Sequence, residues 1–193
     1  MTLNLNCQDN SIQAPFYKNI YITGALFFLV CTLLACQKLI ELSYKTYADP
    51  NYGYTLSYPR SWELKEGGSL GTSLVLLSPD EGQLFRANGN IAIAAVGDQK
   101  LKQQVEQSIK QLKFVLREYE LISKVYKPVG SIQNGAEIRA RYQAAEGLRI
   151  IRTFFAMTSS YTYVLTFTAS SIHEREFSKK VNRIVQSFVP GQE

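Results

Sequence analysis

Gly135-Ala136-Glu137-Ile138-Arg139-Ala140-Arg141-Tyr142-Gln143, Leu148-Arg149-Ile150-Ile151-Arg152-Thr153-Phe154-Phe155-Ala156-Met157 and Tyr161-Thr162-Tyr163-Val164-Leu165-Thr166-Phe167-Thr168-Ala169 follow one another with only short breaks. All three runs are rich in β-branched and aromatic residues, the types that fit a pleated, half-buried surface. Ala144-Ala145-Glu146-Gly147 and Thr158-Ser159-Ser160 supply tight turns between them. Connections this short force antiparallel neighbours. A three-stranded meander is therefore the centre of the expected fold.

Working outward, Ser171-Ile172-His173-Glu174 reads as a capping box, with Ser171 as cap and Glu174 reaching back. The helix it opens places Ile172, Phe177, Val181, Ile184, Val185 and Phe188 on one face, and Pro190-Gly191 ends it. Upstream, Leu101, Val105, Ile109, Leu112 and Leu116 recur at helical spacing, with Asp98 as the candidate cap. Tyr119 to Tyr126 reads as a strand, and Pro128-Val129-Gly130 breaks it. Before the first helix, Ser73 to Leu77 and Asn90 to Val96 are apolar strands, with Ser78-Pro79-Asp80-Glu81-Gly82 as the turn. Strands, helix, meander and helix in this order describe an α+β domain, an antiparallel sheet covered by helices.

Asn51-Tyr52-Gly53-Tyr54-Thr55-Leu56-Ser57-Tyr58-Pro59 alternates bulky and small residues as a strand does. Arg60-Ser61-Trp62 follows, with Trp62 expected to be buried. This stretch resembles the opening of the PsbP-like domain, where a Gly-aromatic strand runs into a Tyr-Pro step and then a Trp. The order of the remaining elements is similar to that family from about Tyr47 to Val189. The resemblance implies an α/β/α sandwich, with helices on both faces of an antiparallel sheet. It also implies a non-enzymatic module. Family members include luminal accessory proteins of photosystem II, and the cyanobacterial ones are lipoproteins. No metal-site residue of the family can be matched here. The long N-terminal extension of plant members is replaced by the short stretch Gln37 to Asp49.

Residues Asn19 to Gln37 carry no charge and contain Leu33-Leu34-Ala35-Cys36. Lys18 precedes the run and Lys38 follows it. An apolar run, a small residue and then a cysteine resembles a bacterial lipoprotein signal. Cleavage between Ala35 and Cys36 would leave Cys36 as the lipid attachment site. The expected organisation is a signal peptide over 1–35, a lipidated tether over 36–49, a PsbP-like domain over 50–189 and a tail over 190–193. The competing reading is an uncleaved anchor, since the run is close to the ~20 residues that span a bilayer. Both place the domain on a membrane, either at the periplasmic face of an inner or outer membrane or in a thylakoid lumen.

The three cysteines are Cys7, Cys31 and Cys36, so no disulfide or thiolate metal site is available beyond the leader. The one histidine, His173, sits in the expected first turn of a helix and has no evident catalytic partner. Gly-x-Ser-x-Gly is absent, and Gly67-Gly68-Ser69-Leu70-Gly71 lacks the Lys-Ser/Thr of a phosphate loop. These observations argue against an enzyme, a metal site and a bound cofactor. The net charge is +5 with no Lys/Arg run of the kind that marks nucleic-acid binding. A scattered excess of this size keeps a domain soluble, or it aids attraction to an anionic surface.

If Ala145-Glu146 forms the hairpin tip, Arg139 falls opposite Arg152 and Arg141 opposite Ile150. Arg139, Arg141 and Arg152 then share one sheet face, and opposed like charges repel. Either the three form a contact patch for an outside anion, or Glu137 and acids of a covering helix neutralise them. The sequence thus reads as a membrane-anchored accessory domain with an unidentified protein partner. The alternative is a small-molecule or lipid carrier with an apolar pocket between helix and sheet.

Overall fold

A computed structural model describes residues 43–68 and 71–191. Ala35, Cys36 and the rest of residues 1–42 lie outside the described residues, as does part of the glycine-rich loop. Among the described residues, nine strands and two helices follow in order: β1 (Tyr44–Ala48), β2 (Thr55–Pro59), β3 (Glu63–Glu66), β4 (Thr72–Leu77), β5 (Asn88–Ala95), α1 (Leu101–Val115), β6 (Glu120–Tyr126), β7 (Gly135–Ala144), β8 (Gly147–Met157), β9 (Tyr161–Ser170) and α2 (Glu174–Gln186). β3 to β9 form one antiparallel sheet in the order β3-β4-β5-β9-β8-β7-β6, and β1 and β2 pair separately. The expected meander is β7-β8-β9, with Ala144 opposite Gly147 across a two-residue tip.

The pleat sorts residues to two faces. Ile150 and Phe154 of β8, with Leu165 and Phe167 of β9, point to one face. There they meet Phe177, Val181, Ile184 and Phe188 from α2 and its C-terminal extension. Leu56 and Trp62 close the same core. The opposite face is smaller: Ala136, Ile138 and Phe155 pack beneath Leu101 and Val105 of α1. Helices therefore cover both faces of an antiparallel sheet, the α+β sandwich that the sequence suggested. Each fully buried large side chain contributes roughly 1.5–3 kcal/mol, so the α2 face dominates stability. Phe188 is wedged between Tyr54 (centroids 5.7 Å apart) and Tyr163 (5.2 Å), which fixes the C-terminus to β2 and β9. Gly130 packs against this end with φ +58°. A Cβ there would lie 2.0 Å from the Phe188 carbonyl oxygen, so only glycine fits.

Five local expectations are corrected. Tyr44–Ala48, read as part of the tether, is a strand paired along its length with β2. Its own alternation is weak, and the partner strand makes it. β2 is shorter than read, because residues 49–54 form the turn that joins it to β1. α1 is not capped by Asp98. Its first residue follows Lys100, whose backbone N–H donates to Gln103 Oε1 at 2.9 Å. Nor does Ser171 cap α2: a 3-10 turn over Ser171–His173 intervenes, with no side-chain cap bond. Glu174 pairs with Arg139 instead. Ile172, placed on the core face by helical spacing, is thrown outward to 86% exposure.

Asp49 holds the turn between β1 and β2. Its Oδ1 accepts from the backbone N–H groups of Asn51 (2.9 Å) and Tyr52 (2.7 Å). Its Oδ2 accepts from Ser73 Oγ at 2.6 Å and Tyr47 OH at 3.3 Å. The Ser73 proton is committed to Asp49, so Tyr54 OH donates to Ser73 Oγ at 2.9 Å. Burial works to raise the Asp49 pKa. The bonds from Ser73, Tyr52, Asn51 and Tyr47 outweigh it and hold the carboxyl below its ordinary value. A depressed folded pKa stabilises above the unfolded value, and that stability is lost as pH falls through the folded value. Asp49→Asn is expected to cost about 1–3 kcal/mol at pH 7. In urea unfolding, the gap between wild type and variant should narrow as pH falls below about 4. A gap that is constant from pH 7 to pH 3 would contradict the role of the charge.

Candidate functional site

The hairpin register sets Arg139 opposite Arg152 and Arg141 opposite Ile150. Arg152 is buried, and its guanidinium is surrounded. Nε donates to Glu137 Oε1 at 2.7 Å, and one terminal nitrogen donates to Asn182 Oδ1 at 2.8 Å. The other donates to the Ser178 carbonyl at 3.4 Å, and the group lies 5.0 Å from the centre of the Phe154 ring. Glu137, also buried, receives Lys127 on its second oxygen. Arg139 pairs with Glu174 of α2, and Arg141 pairs with Glu120 across β6 at 2.7 Å. Every guanidinium of the trio thus has a carboxylate of this chain. Glu137 and the α2 acid Glu174 are the neutralising partners weighed above, whereas Glu120, on β6, is one the sequence reading did not name. The buried pair also fixes register, since a one-residue slip would move Glu137 and Arg152 to opposite faces.

A concavity of about 200 Å³ opens between the loop after β4 and the start of α2, at the end of the sheet that carries the β7–β8 hairpin. Trp62, Phe85 and Phe177 form its aromatic wall, and Glu81, His173 and Lys180 stand among its polar lining. Trp62 is 4% exposed, and its Nε1–H has no hydrogen-bond partner. A buried donor left unpaired costs about 1–3 kcal/mol. Phe85 is fixed by Arg149, whose guanidinium stacks 4.0 Å from its centre and reaches Glu146 at 3.3 Å. Lys180 is engaged by Glu176 at 3.2 Å. His173 is exposed, as expected, but on the 3-10 turn rather than in an α-helical one. Among the described residues no group of three or more His, Cys, Asp or Glu side chains could hold a metal ion.

Sequence reasoning placed Trp62 in the interior but missed Phe85 and Arg149. Phe85 sits in a loop with no periodicity. A signal was present in Arg149, a cation inside a strand otherwise dominated by apolar residues, which implies a partner. The apolar pocket that the carrier alternative requires is not found under α2, where Val181, Ile184 and Phe188, each 0% exposed, fill the space. Beside the start of α1, Leu101, Tyr126 and Met157 line an open concavity of about 580 Å³.

No family model matches the chain, and no curated protein sequence matches it. Similar solved structures exist. The solution structure of cyanobacterial PsbP (CyanoP) from Synechocystis has a TM-score of 0.59 at 16% identity, covering 77% of this chain and 92% of its own. LpqN of Mycobacterium tuberculosis, described as involved in cell envelope biogenesis, gives 0.60 at 13% identity, with coverage of 77% and 92%. The Saccharomyces cerevisiae Ran-binding protein Mog1p gives 0.50 at 10%, with coverage of 76% and 94%. At these identities the likeness establishes the fold, and the fold is PsbP-like.

The Arg152–Glu137 pair offers a direct test. Removing one partner strands a buried charge, so Glu137→Leu alone should destabilise by about 3–5 kcal/mol. Glu137→Leu combined with Arg152→Met should recover much of that loss in urea unfolding. Additive losses would show that the two side chains do not act as a pair.

Proposed function

We propose that this chain is a bacterial lipoprotein whose PsbP-like domain is a non-enzymatic, partner-binding accessory module. In this reading Cys36 carries the acyl chains, and the domain is exported and held at a membrane surface. Two acyl chains anchor stably where one binds only marginally. One observation carries the binding role: the core under α2 is filled, and the concavity beside it is a small cleft walled by Trp62, Phe85 and Phe177. Its volume of about 200 Å³ is below the ~300–1,000 Å³ typical of small-molecule pockets. It suits a single side chain of a protein partner. The filled interface under α2 counts against a carrier site there. Among the described residues no helix is long and apolar enough to cross a membrane. In a photosynthetic host the same reading makes the partner a photosystem II subunit.

Two measurements test it. Intact-mass analysis of protein from native membranes should find Cys36 as the acylated N-terminus, and Cys36→Ser should accumulate unprocessed. A native N-terminus at Met1 would remove the lipoprotein reading. A photo-crosslinker at Gln83, beside the cleft, should trap a discrete protein adduct in those membranes, whereas one at Tyr52 should not. Identical adducts at both positions would exclude the cleft as the docking site.

A further inference from the structure

Three residues among the described ones project large apolar side chains almost wholly into solvent: Phe114 (91% exposed), Leu84 (88%) and Ile172 (86%). Val115 follows at 68%, and every other exposed large apolar residue is at 47% or less. These four come from three unconnected segments: the β4–β5 loop, the C-terminus of α1 and the 3-10 turn before α2. Strand register places all three segments at one end of the sheet. β4 ends there, since Leu77 pairs with Asn88 at the start of β5. β9 ends there too, since Ser170 pairs with Arg149 just past the β7–β8 tip. α1 finishes there, where the Arg117 carbonyl accepts from Gln143 N–H at 2.9 Å, one residue before the end of β7.

The chain also enters the domain on this side. Arg60 N–H donates to the Ser43 carbonyl at 2.8 Å, two residues before Trp62, and β3 starts from the same end at Glu63. In sequence, only Lys38 to Leu42 separate Ser43 from the uncharged run Asn19 to Gln37.

We infer that this end of the sheet rests in the interfacial layer of the bilayer that holds the chain, with Leu84, Phe114, Val115 and Ile172 inserted as separate tips. The inference builds on the membrane attachment proposed above and adds the orientation of the domain. The cleft opens beside these tips, so its partner in the reading above is met at the bilayer surface. The tips themselves, on three segments, do not form one groove for a folded partner, whereas a fluid lipid layer receives them without matched shape. Each tip is favoured in the apolar layer because its apolar surface leaves water. The nearby charges are mixed: Lys113 and Arg175 are offset by Asp80 and Glu81, and Arg117 pairs with Glu118 at 3.6 Å. Insertion should therefore depend little on salt or on anionic lipid.

The test uses the full acylated chain in vesicles of zwitterionic lipid brominated in the upper acyl chain. Trp62 is the one native tryptophan, so its signal is subtracted as background. Leu84→Trp, Phe114→Trp and Ile172→Trp should each add blue-shifted emission that the brominated lipid quenches. Tyr52→Trp, at the opposite end where Tyr52 packs edge-on against Tyr161, should add emission that is not quenched. Vesicles that float with the protein while the three tip variants stay unquenched would overturn the orientation and leave the anchor standing. Protein that does not float at all would overturn both.

Discussion

β9 pairs with β5 on one side and β8 on the other, and both ladders run nearly its full length. β3 to β5 and β6 to β8 are each built from neighbours in sequence. Neither is joined to the other except through this last strand. The β5–β9 ladder closes a loop of more than sixty residues, so the entropy of closure must be offset by burial that arrives with the ladder itself. That burial is apolar: Leu165 and Phe167 of β9 meet Ile91 and Phe154 on the face that α2 then covers. The sheet and the main core therefore form together, and α2 has a surface to pack on only when β9 is in place.

The charged residues of the α2 face follow from the same geometry. The meander fixes which arginines share a face, and the approach of α2 brings Glu174, Ser178 and Asn182 to them. A buried ion pair is weak evidence for net stability, but a mismatched register strands its charges. Glu137 and Arg152 serve the pairing of β7 with β8 in that way. The aromatic cleft and the apolar tips beside it both lie at the hairpin end of the sheet.

Much of this was legible in the chain because it is local. Strand alternation, two-residue turns and helical spacing act over a few residues, and they gave the meander, both helices and the register that opposes Arg139 and Arg152. The likeness of the Tyr-Pro-Arg-Ser-Trp stretch to PsbP-like domains pointed to the sandwich, and similarity to solved structures agrees with it at the level of fold. What was missed depends on partners distant in sequence. β1 has little alternation of its own and exists because β2 accepts its hydrogen bonds. Asp49 looked like a linker residue, yet Ser73, 24 positions away, makes it a buried anchor.

The sequence by itself determined the types of most elements, the hairpin register and the chemistry available, with one histidine and no cysteine after Cys36. Tertiary structure alone decided that β9 lies between β5 and β8, that Glu174 turns from a cap into the partner of Arg139, and that Phe85 and Trp62 share a wall. The physical reason is range: backbone geometry and periodicity are fixed by near neighbours. Burial, charge pairing and the shape of a cleft are fixed by whichever surfaces the folded chain brings together.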